Sequence, residues 1–351
     1  MRSLITGSGI GVPENIVTND ALAKIMDTSD EWIRTRSGIV ERRFASDGQG
    51  SVELGAMAAE KALEASGRNK NEIDCVIFAT MTPDYLLPDN GAVLQHRLGL
   101  PHIATFDIRQ QCSGFLYGLD LADSLIRSGK YRTVLLIGAE VHTAFMPWHQ
   151  GWGSTIGQDV EVTEEHRVAN TRIRDRVVLF GDGAGAVIVE ANDDDSRGYL
   201  ASKLFTDGES WDALHMPGAS FLRRPFVTET QIEAEETIPI MHGRDVFKNA
   251  VTKMPDAVKL VCAEAGLEVE DLDFVLTHQA NLRIIQGVAK ALGLPDEKVP
   301  HNIERYGNTT AGTLPILFHE LVEEGRIKEG SLIAFTALGS GLHWGAALYR
   351  H

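Results

Sequence analysis

The sequence of 351 residues predicts an α/β protein in which one β/α unit occurs twice. The tetrapeptide Leu-Gly-Leu-Pro stands at 98–101 and again at 292–295. A helix-like stretch that ends at a glycine, and then a strand-like apolar run, precede each tetrapeptide. A largely uncharged helix that contains glycine, and then another apolar run, follow each one. Because element order and spacing both repeat, the sequence indicates an internal duplication.

The elements of the first copy follow from apolar periodicity. Residues 51–67 have a helical pattern that stops at Gly67, and residues 75–80 form an apolar run of strand length. The helix that follows Cys112 has apolar residues at 115, 116, 119, 122 and 126 on one face and leucines on another. A helix that is apolar nearly all round is buried. The strand 133–137 closes the copy.

The second copy repeats this order with a helix over 249–266, a strand over 274–277, a helix over 309–322 and a strand over 332–335. We place the N-terminal half at 1–175 and the C-terminal half at 176–351. If the halves pair, their two buried helices meet near a pseudo-twofold axis. Cys112 and Asn308, which precede those helices, then approach one pocket.

Composition excludes several classes of protein. The formal net charge of −16 argues against a nucleic-acid binder. No apolar run approaches the roughly 18 residues of a membrane span, and the N-terminal residues do not have the pattern of a secretory signal. Three cysteines make a poor disulfide framework, which favours a reducing compartment, the cytoplasm.

Cys112 is the most informative single residue, because it stands at the start of a buried helix. The partial positive charge of a helix N-terminus favours a thiolate over a thiol. A packed core cysteine is the alternative interpretation of this residue alone.

Two polar residues in the second half are candidates for the same site. His278 comes just past an apolar strand, where sites at the carboxyl ends of strands lie. Asn308 follows a glycine at a predicted helix start and is either functional or an ordinary N-cap. The glycine-rich turn 339–345 allows backbone N–H groups to approach an oxyanion.

Taken together and in this order, the motifs resemble the β-ketoacyl-[acyl carrier protein] synthase III family of the thiolase superfamily. The resemblance covers nearly the whole chain. It rests on the segments 28–39, Cys112-Ser113-Gly114-Phe115, His278-Gln279-Ala280-Asn281, Gly307-Asn308-Thr309 and Trp344-Gly345. It implies an internally duplicated thiolase fold with five layers, αβαβα.

The resemblance also implies a reaction. Cys112 would take an acyl group from acyl-CoA, with the N–H groups of Cys112 and Ser340 as the oxyanion hole. Malonyl-ACP would then lose CO₂ while His278 and Asn308 donate hydrogen bonds to its thioester carbonyl. The resulting carbanion would attack the acyl-cysteine and give 3-ketoacyl-ACP, the initiation of fatty acid synthesis.

Further roles come from the same resemblance. CoA would bind at Trp32, Arg36 and Asn281, and the acidic acyl carrier protein (ACP) would bind at a basic patch of Lys248, Arg283 and Lys290. The resemblance implies a homodimer whose interface lines the acyl tunnel, and neither a metal nor a redox cofactor.

The chain departs from the family pattern in places that concern the acyl group. Leu87 stands where short-chain enzymes often have an aromatic residue in the acyl pocket, and the segments 142–175 and 210–240 are longer than expected. A family arginine that helps to bind CoA has no clear counterpart in the first of these segments. We therefore hypothesise an acyl preference longer than acetyl.

Two alternatives remain open from sequence. In the first, the chain is a family member that transfers the acyl group to an acceptor other than malonyl-ACP. That acceptor would be an acyl-CoA, or an oxygen or nitrogen atom of a molecule in secondary metabolism. In the second it would be a non-catalytic partner subunit, although such subunits commonly lack the nucleophile that is present here.

Overall fold

The computed structural model describes residues 2–351. Its strands are β1 (Arg2–Gly11), β2 (Asn15–Thr18), β3 (Glu41–Phe44), β4 (Cys75–Ala79), β5 (Ala104–Ile108), β6 (Thr133–Glu140), β7 (Gly183–Asn192), β8 (Gly198–Thr206), β9 (Leu214–His215), β10 (Ile240–Met241), β11 (Phe274–Thr277), β12 (Leu332–Gly339) and β13 (His343–Arg350). Its α-helices are α1 (Asn19–Ala23), α2 (Asp30–Ser37), α3 (Ser51–Ser66), α4 (Asn90–Leu98), α5 (Gly114–Arg127), α6 (Glu164–Arg172), α7 (Arg174–Val177), α8 (Glu229–Glu233), α9 (Gly243–Glu264), α10 (Leu282–Leu292), α11 (Ile303–Tyr306) and α12 (Thr313–Glu323).

Two mixed sheets form the frame of the molecule. The first has the order β1-β7-β6-β4-β5, and the second has the order β11-β12-β13-β8. In the first sheet β4 is parallel to β5 and β6, whereas β7 is antiparallel to β6 and β1. In the second, β11 is parallel to β12 and the remaining pairs are antiparallel. The predicted duplication is confirmed, because β4-β6-β7-β1 and β11-β12-β13-β8 repeat one pattern.

Successive side chains of a strand point to opposite faces of the sheet and therefore pack into different layers. In β4, Cys75 and Ile77 pack with α5 and α12 between the two sheets, whereas Val76 and Phe78 pack outward against α3 and α4. The opposite side of the second sheet packs against α9 and α10. The layers are therefore helix, sheet, helix, sheet, helix, as expected.

The structure moves two of the predicted boundaries. Strand β7 lies beyond the expected division near residue 175 and yet belongs to the first sheet, so sheet membership divides the chain between Asn192 and Gly198. The helix predicted over 249–266 begins earlier, at Gly243.

The long segment 142–175 folds into short helices around a buried tryptophan. The indole of Trp152 is fully buried, stacks on Phe44 and donates a hydrogen bond to Asn170 Oδ1 at 2.8 Å. This anchor holds the segment against β3 and, through a hydrogen bond from Asn170 to Ile25 O, against the turn after α1.

Candidate functional site

Cys112 lies in a 3₁₀ turn, Gln111–Ser113, that leads from β5 into α5. Gln111 has φ +52°, which is uncommon for a residue other than glycine and is often found at functional sites. Gly339, at the end of β12, packs so closely that an added Cβ would lie 2.9 Å from the backbone nitrogen of Cys112. Only glycine fits there, and the following residue, Ser340, is thereby brought to the nucleophile.

Burial decides the resting state of the thiol. Cys112 is 6% exposed, and burial, with the charge of Glu140 as a smaller cause, raises its pKa to about 12. The helix N-terminus was expected to favour a thiolate, and that effect is outweighed by desolvation. Cys112 therefore rests as a thiol, and a neighbouring group has to accept its proton before it can act as a nucleophile.

His278 is positioned by the parallel pair β11 and β12. Its N–H donates to Thr336 O at 2.9 Å, which continues the ladder by one residue beyond β11. The carboxyl ends of parallel strands meet at the same edge of a sheet, so His278 and the turn at Ser340 lie on one side of the molecule.

The tautomer of His278 follows from its contact with Thr313. The Thr313 hydroxyl donates to Thr310 O at 3.0 Å, so its oxygen accepts a hydrogen bond from His278 Nδ1–H at 2.7 Å. Burial lowers the pKa of His278 to about 3, which keeps the ring neutral. Nε2 is then the nitrogen with a free lone pair, and it can accept a proton.

Asn308 is fixed by hydrogen bonds of its backbone and of its side-chain amide oxygen. Its backbone bonds to both neighbours of Phe180, namely Leu179 O at 2.8 Å and the N–H of Gly181 at 3.1 Å. Its Oδ1 accepts from the N–H of Thr310 at 2.8 Å. The Nδ2 group is therefore left as a donor, and Asn308 is more than an N-cap.

Cys112, His278 and Asn308 all line one cavity of about 290 Å³. Trp32, Arg36 and Asn281 line it too, together with apolar residues of α9 and of the segment 175–180. The structure thus brings together six of the residues that the sequence singled out, in a concave and mainly apolar pocket of the kind that binds small molecules.

Two guanidinium groups lie against Trp32. The Arg36 Cζ is 4.4 Å and the Arg174 Cζ is 4.8 Å from the centre of the indole ring. Arg174 lies in the segment where sequence analysis could place no arginine beside the predicted CoA site. Its stretch, 172–176, contains three arginines, so sequence alone had no means to choose among them. The Asn281 amide donates to Arg36 O at 2.9 Å and ties this end of α2 to α10.

A second cavity of about 370 Å³ also reaches Cys112. Ser340 lines it, and its hydroxyl bonds to Leu214 O, so that the side chain is held away from the nucleophile. The two long segments, 142–175 and 210–240, contribute to its wall through His142, Phe145, Trp211, Leu214, His215, Met216 and Pro239.

The other predicted residues lie outside both cavities. Lys248 on α9 and Arg283 and Lys290 on α10 are exposed, and none makes an ion pair within residues 2–351. Leu87 is 88% exposed and lines neither cavity of its own chain, so its place in an acyl pocket stays a prediction that only a second copy could satisfy. It stands on a surface loop after β4, which directs its side chain outward.

Between residues 2 and 351, no three or more His, Cys, Asp or Glu side chains are grouped so as to hold a metal ion. In the same range no helix combines the length and apolar character needed to cross a membrane. The three cysteines are buried and unpaired.

Comparisons with known proteins agree with this geometry. Residues 106–157 and 161–208 match the family 3-oxoacyl-[acyl-carrier-protein (ACP)] synthase III, and residues 262–351 match its C-terminal family. The β-ketoacyl-[acyl-carrier-protein] synthase III of Aquifex aeolicus is 39% identical over the whole of both chains. Its counterpart from Granulibacter bethesdensis is 40% identical over 99% of each chain.

Solved structures lead to the same family. The crystal structure of the Aquifex aeolicus enzyme superposes with a TM-score of 0.85 over 99% of this chain and 100% of that one. The priming β-ketosynthase from the R1128 polyketide biosynthetic pathway is 30% identical, with a TM-score of 0.82 over 99% and 96% of the two chains. The present chain therefore belongs to the 3-oxoacyl-[acyl-carrier-protein] synthase III family of condensing enzymes.

Proposed function

We propose that this chain loads an acyl group from acyl-CoA and condenses it with malonyl-ACP, giving 3-ketoacyl-ACP and initiating fatty acid synthesis. The observation that supports this most strongly is the meeting of Cys112, His278 and Asn308 in one cavity that Trp32 and Arg36 also line. A thiol, a proton acceptor and an amide donor are the groups that the two stages of such a reaction require.

In the first stage, His278 Nε2 accepts the proton of the Cys112 thiol. The thiolate attacks the thioester carbonyl of acyl-CoA, and the N–H groups of Cys112 and Ser340 stabilise the tetrahedral oxyanion. The bond to CoA sulfur breaks, CoA leaves as a thiolate, and solvent protonates it. The acyl-enzyme then has a protonated His278 whose Nε2–H is a donor.

In the second stage, Asn308 Nδ2 and His278 Nε2–H donate hydrogen bonds to the thioester carbonyl of malonyl-ACP. Loss of CO₂ leaves an enolate, and its carbon attacks the acyl carbonyl on Cys112. The carbon–sulfur bond to Cys112 breaks and releases 3-ketoacyl-ACP. The Cys112 thiolate takes the proton back from His278 Nε2, which restores the resting thiol and the neutral imidazole for the next cycle.

Binding of the two carriers uses different surfaces. Trp32, with Arg36, Arg174 and Asn281 around it, would stack on the adenine of CoA and meet its phosphates. Lys248, Arg283 and Lys290 are exposed on the neighbouring helices α9 and α10, where they would bind the acidic surface of ACP.

The enzyme would act as a homodimer in the cytoplasm. Unpaired cysteines suit a reducing compartment. In the dimer, the exposed loop with Leu87 would reach the acyl pocket of the second copy. Because leucine leaves more room there than an aromatic residue, and because both long segments contribute to the wall of the cavity of about 370 Å³, we propose an acyl preference longer than acetyl.

Intact-protein mass spectrometry after incubation with acyl-CoAs of graded length tests the first stage. A single acyl adduct is expected on the wild type and none on Cys112→Ala. An adduct from acetyl-CoA alone would contradict the chain-length preference. No adduct from any acyl-CoA, in folded protein, would contradict the function and revive the non-catalytic subunit.

The second stage is tested by adding malonyl-ACP to the acylated enzyme. Asn308→Ala should still become acylated but should condense more slowly by a factor on the order of 10²–10³, the usual effect of losing one such donor. Equal loss of both stages in this variant would contradict the role proposed for Asn308.

The likeness to a polyketide priming ketosynthase favours one second candidate, the same chemistry serving secondary metabolism. An acceptor other than malonyl-ACP belongs to that candidate. If acylated enzyme transfers its acyl group to malonyl-CoA or to an alcohol, and not to malonyl-ACP, the second candidate is correct.

A further inference from the structure

Glu320 on α12 is a mostly buried carboxylate that lines neither cavity and has no part in the mechanism proposed above. Each of its two oxygens accepts two hydrogen bonds. Oε1 accepts from Arg305 at 3.0 Å and from the Tyr306 hydroxyl at 2.7 Å. Oε2 accepts from Arg305 at 2.8 Å and from the Asn302 amide at 2.8 Å. The Glu320 side chain is only 12% exposed, so water has little access to replace it as an acceptor.

All of these donors belong to one short segment, 302–306, which contains helix α11. Burial raises the pKa of Tyr306 to about 12, so its phenol stays protonated and donates at neutral pH. The backbone N–H of Asn302 donates to Gln279 Oε1 at 3.1 Å, which ties the start of the segment to the residue after His278. Glu320 binds both ends of the segment and therefore fixes it as one unit.

The segment leads directly into Asn308. Only Gly307 separates Tyr306 from Asn308, and its φ of +63° is a conformation that favours glycine. At Gly181 an added Cβ would lie 2.3 Å from Tyr306 O, so the main chain of Tyr306 packs on the same residue whose N–H bonds to Asn308 O. A shift of Tyr306 would therefore change the path of the chain into Asn308.

Helix α12 connects this contact with His278. Thr313 and Glu320 are seven residues apart on α12, which is about two helical turns, so both lie on the same face of the helix. Thr313 accepts the hydrogen bond from His278 Nδ1–H, and Glu320 holds the segment that leads to Asn308. One helix face thus fixes the surroundings of both groups that would donate to the thioester carbonyl of malonyl-ACP.

We infer that Glu320 is a positioning residue for the condensation stage and that it acts through Asn308. This inference rests on the proposed function and adds to it a residue that lines neither cavity. Acyl loading requires Cys112, the lone pair of His278 and the oxyanion hole, but not the amide of Asn308. Removing the Glu320 carboxylate should therefore affect one stage and spare the other.

The first test is Glu320→Gln, which keeps the shape of the side chain but replaces one acceptor oxygen with an N–H donor that faces other donors. Mixing the acylated variant with malonyl-ACP measures the second stage alone. Its kcat should fall on the order of tenfold, because a small misplacement of a group that stabilises the transition state is enough to do so. The rate of acyl loading should not change. The KM for malonyl-ACP should not change either, since the proposed ACP surface is on α9 and α10.

Two further variants support this test. Tyr306→Phe removes a single donor and keeps the ring, and it carries the test if Glu320→Gln does not fold. It should slow condensation by a smaller factor and leave loading unchanged. Glu324→Gln is the matched control, because Glu324 is exposed and lies 3.6 Å from exposed Arg326, and both stages should keep the wild-type rate.

A double variant separates positioning of Asn308 from general support of the fold. In Asn308→Ala the amide is already absent, so adding Glu320→Gln should cause little further loss of condensation. The same further loss as in the wild-type background would overturn the inference, because Glu320 would then act independently of Asn308.

The remaining outcomes are equally decisive. Condensation at the wild-type rate in both Glu320→Gln and Tyr306→Phe overturns the inference and leaves the proposed function intact. Equal loss of loading and condensation in these variants also overturns it, since Glu320 then only supports the fold. A wild type that takes up no acyl group, or that does not condense with malonyl-ACP, is a failure of the proposed function itself.

Discussion

At the residue scale, the reactivity of Cys112 depends on a proton that has to be moved out of a buried site. Its raised pKa means that the helix N-terminus cannot hold a thiolate unaided. In the proposed mechanism the lone pair of His278 Nε2 accepts this proton. Nε2 has that lone pair because Thr313 Oγ1 accepts a hydrogen bond from Nδ1–H, which keeps the ring proton on Nδ1. In that mechanism Thr313 is a positioning residue that acts through His278.

The variant Thr313→Val should slow acyl loading on the order of tenfold, because His278 then loses the partner that favours its Nδ1–H tautomer. Rapid-quench mass spectrometry would measure the rate. The rate should also rise with pH between about 7 and 9, since hydroxide replaces the lost acceptor for the thiol proton.

Thr313→Ser is the matched control for this prediction, and it should keep both the rate and the pH profile of the wild type. A purely structural role for Thr313 would lower the rate equally at every pH, and that result would contradict the tautomer argument.

The buried neutral histidines also predict how stability depends on pH. Burial lowers the pKa of His142 from 6.5 to about 3 in the folded chain. Its contribution is therefore fully present above pH 6.5 and is lost as pH falls toward 3, because only the unfolded chain binds the proton. Lowering the pH to about 5 should cost roughly 2 kcal/mol through this residue alone.

Urea unfolding of the wild type and of His142→Phe, at neutral pH and near pH 5, measures how much His142 contributes to the pH dependence of the free energy of unfolding. The variant should lose about 2 kcal/mol less than the wild type between the two conditions. Equal losses would mean that His142 is already able to bind a proton in the folded protein.

At the element scale, one buried arginine joins three segments behind the cavity. Arg42 of β3 is fully buried and donates to Val17 O, Asn19 Oδ1 and Val178 O at 2.9–3.1 Å. Burial lowers its pKa to about 9, so it remains a cation at neutral pH. Val178 lines the cavity, which connects this contact to the site.

Arg42→Met should lower the free energy of unfolding by roughly 2–4 kcal/mol, because three buried acceptors lose their donor. Chemical denaturation measures the loss. Arg34→Met is the control, since Arg34 is exposed and pairs only with exposed Asp30. Its effect should stay within about 0.5 kcal/mol, and equal effects of the two variants would contradict the argument.

The elements that sequence predicted well are those with a strong apolar pattern. The strands at 75, 133, 274 and 332 are buried on both faces, so their apolar runs mark them clearly. The first turn of α9 was missed because His242–Asn249 is polar and mostly exposed. The short helices of 142–175 depend on the burial of Trp152, a long-range contact that no local pattern indicates.

At the scale of the whole molecule, the duplication explains the place of the site and also where sequence analysis stopped. The central helices α5 and α12 each begin with a 3₁₀ turn whose first residue has positive φ, Gln111 at 52° and Thr310 at 48°. In this correspondence Ala311, not Asn308, occupies the place of Cys112. The repeat predicted that the two turns meet. It could not predict which single residues in each turn carry functional groups, because the two copies differ at those positions.

The second sheet has no counterpart of β5. We predict that this additional strand at the edge of the first sheet is where two copies of the chain form a dimer. β5 is an edge strand with free backbone N–H and C=O groups, and Phe106 on it is 38% exposed. Proteins protect such an edge, and pairing with a second copy would do so here. Light scattering should give twice the chain mass of 38.4 kDa for the wild type.

Phe106→Lys should shift this mass toward the monomer, because a lysine on each edge brings two like charges together where the copies pair. Leu222→Lys is the matched control, since Leu222 is also apolar and is 96% exposed on the loop between β9 and α8, not on β5, and it should leave the dimer intact. Because the loop with Leu87 reaches the cavity only from a second copy in our proposal, Phe106→Lys should also weaken discrimination between acyl-CoAs of different length. A monomeric wild type, or the same response from both variants, would contradict pairing through β5.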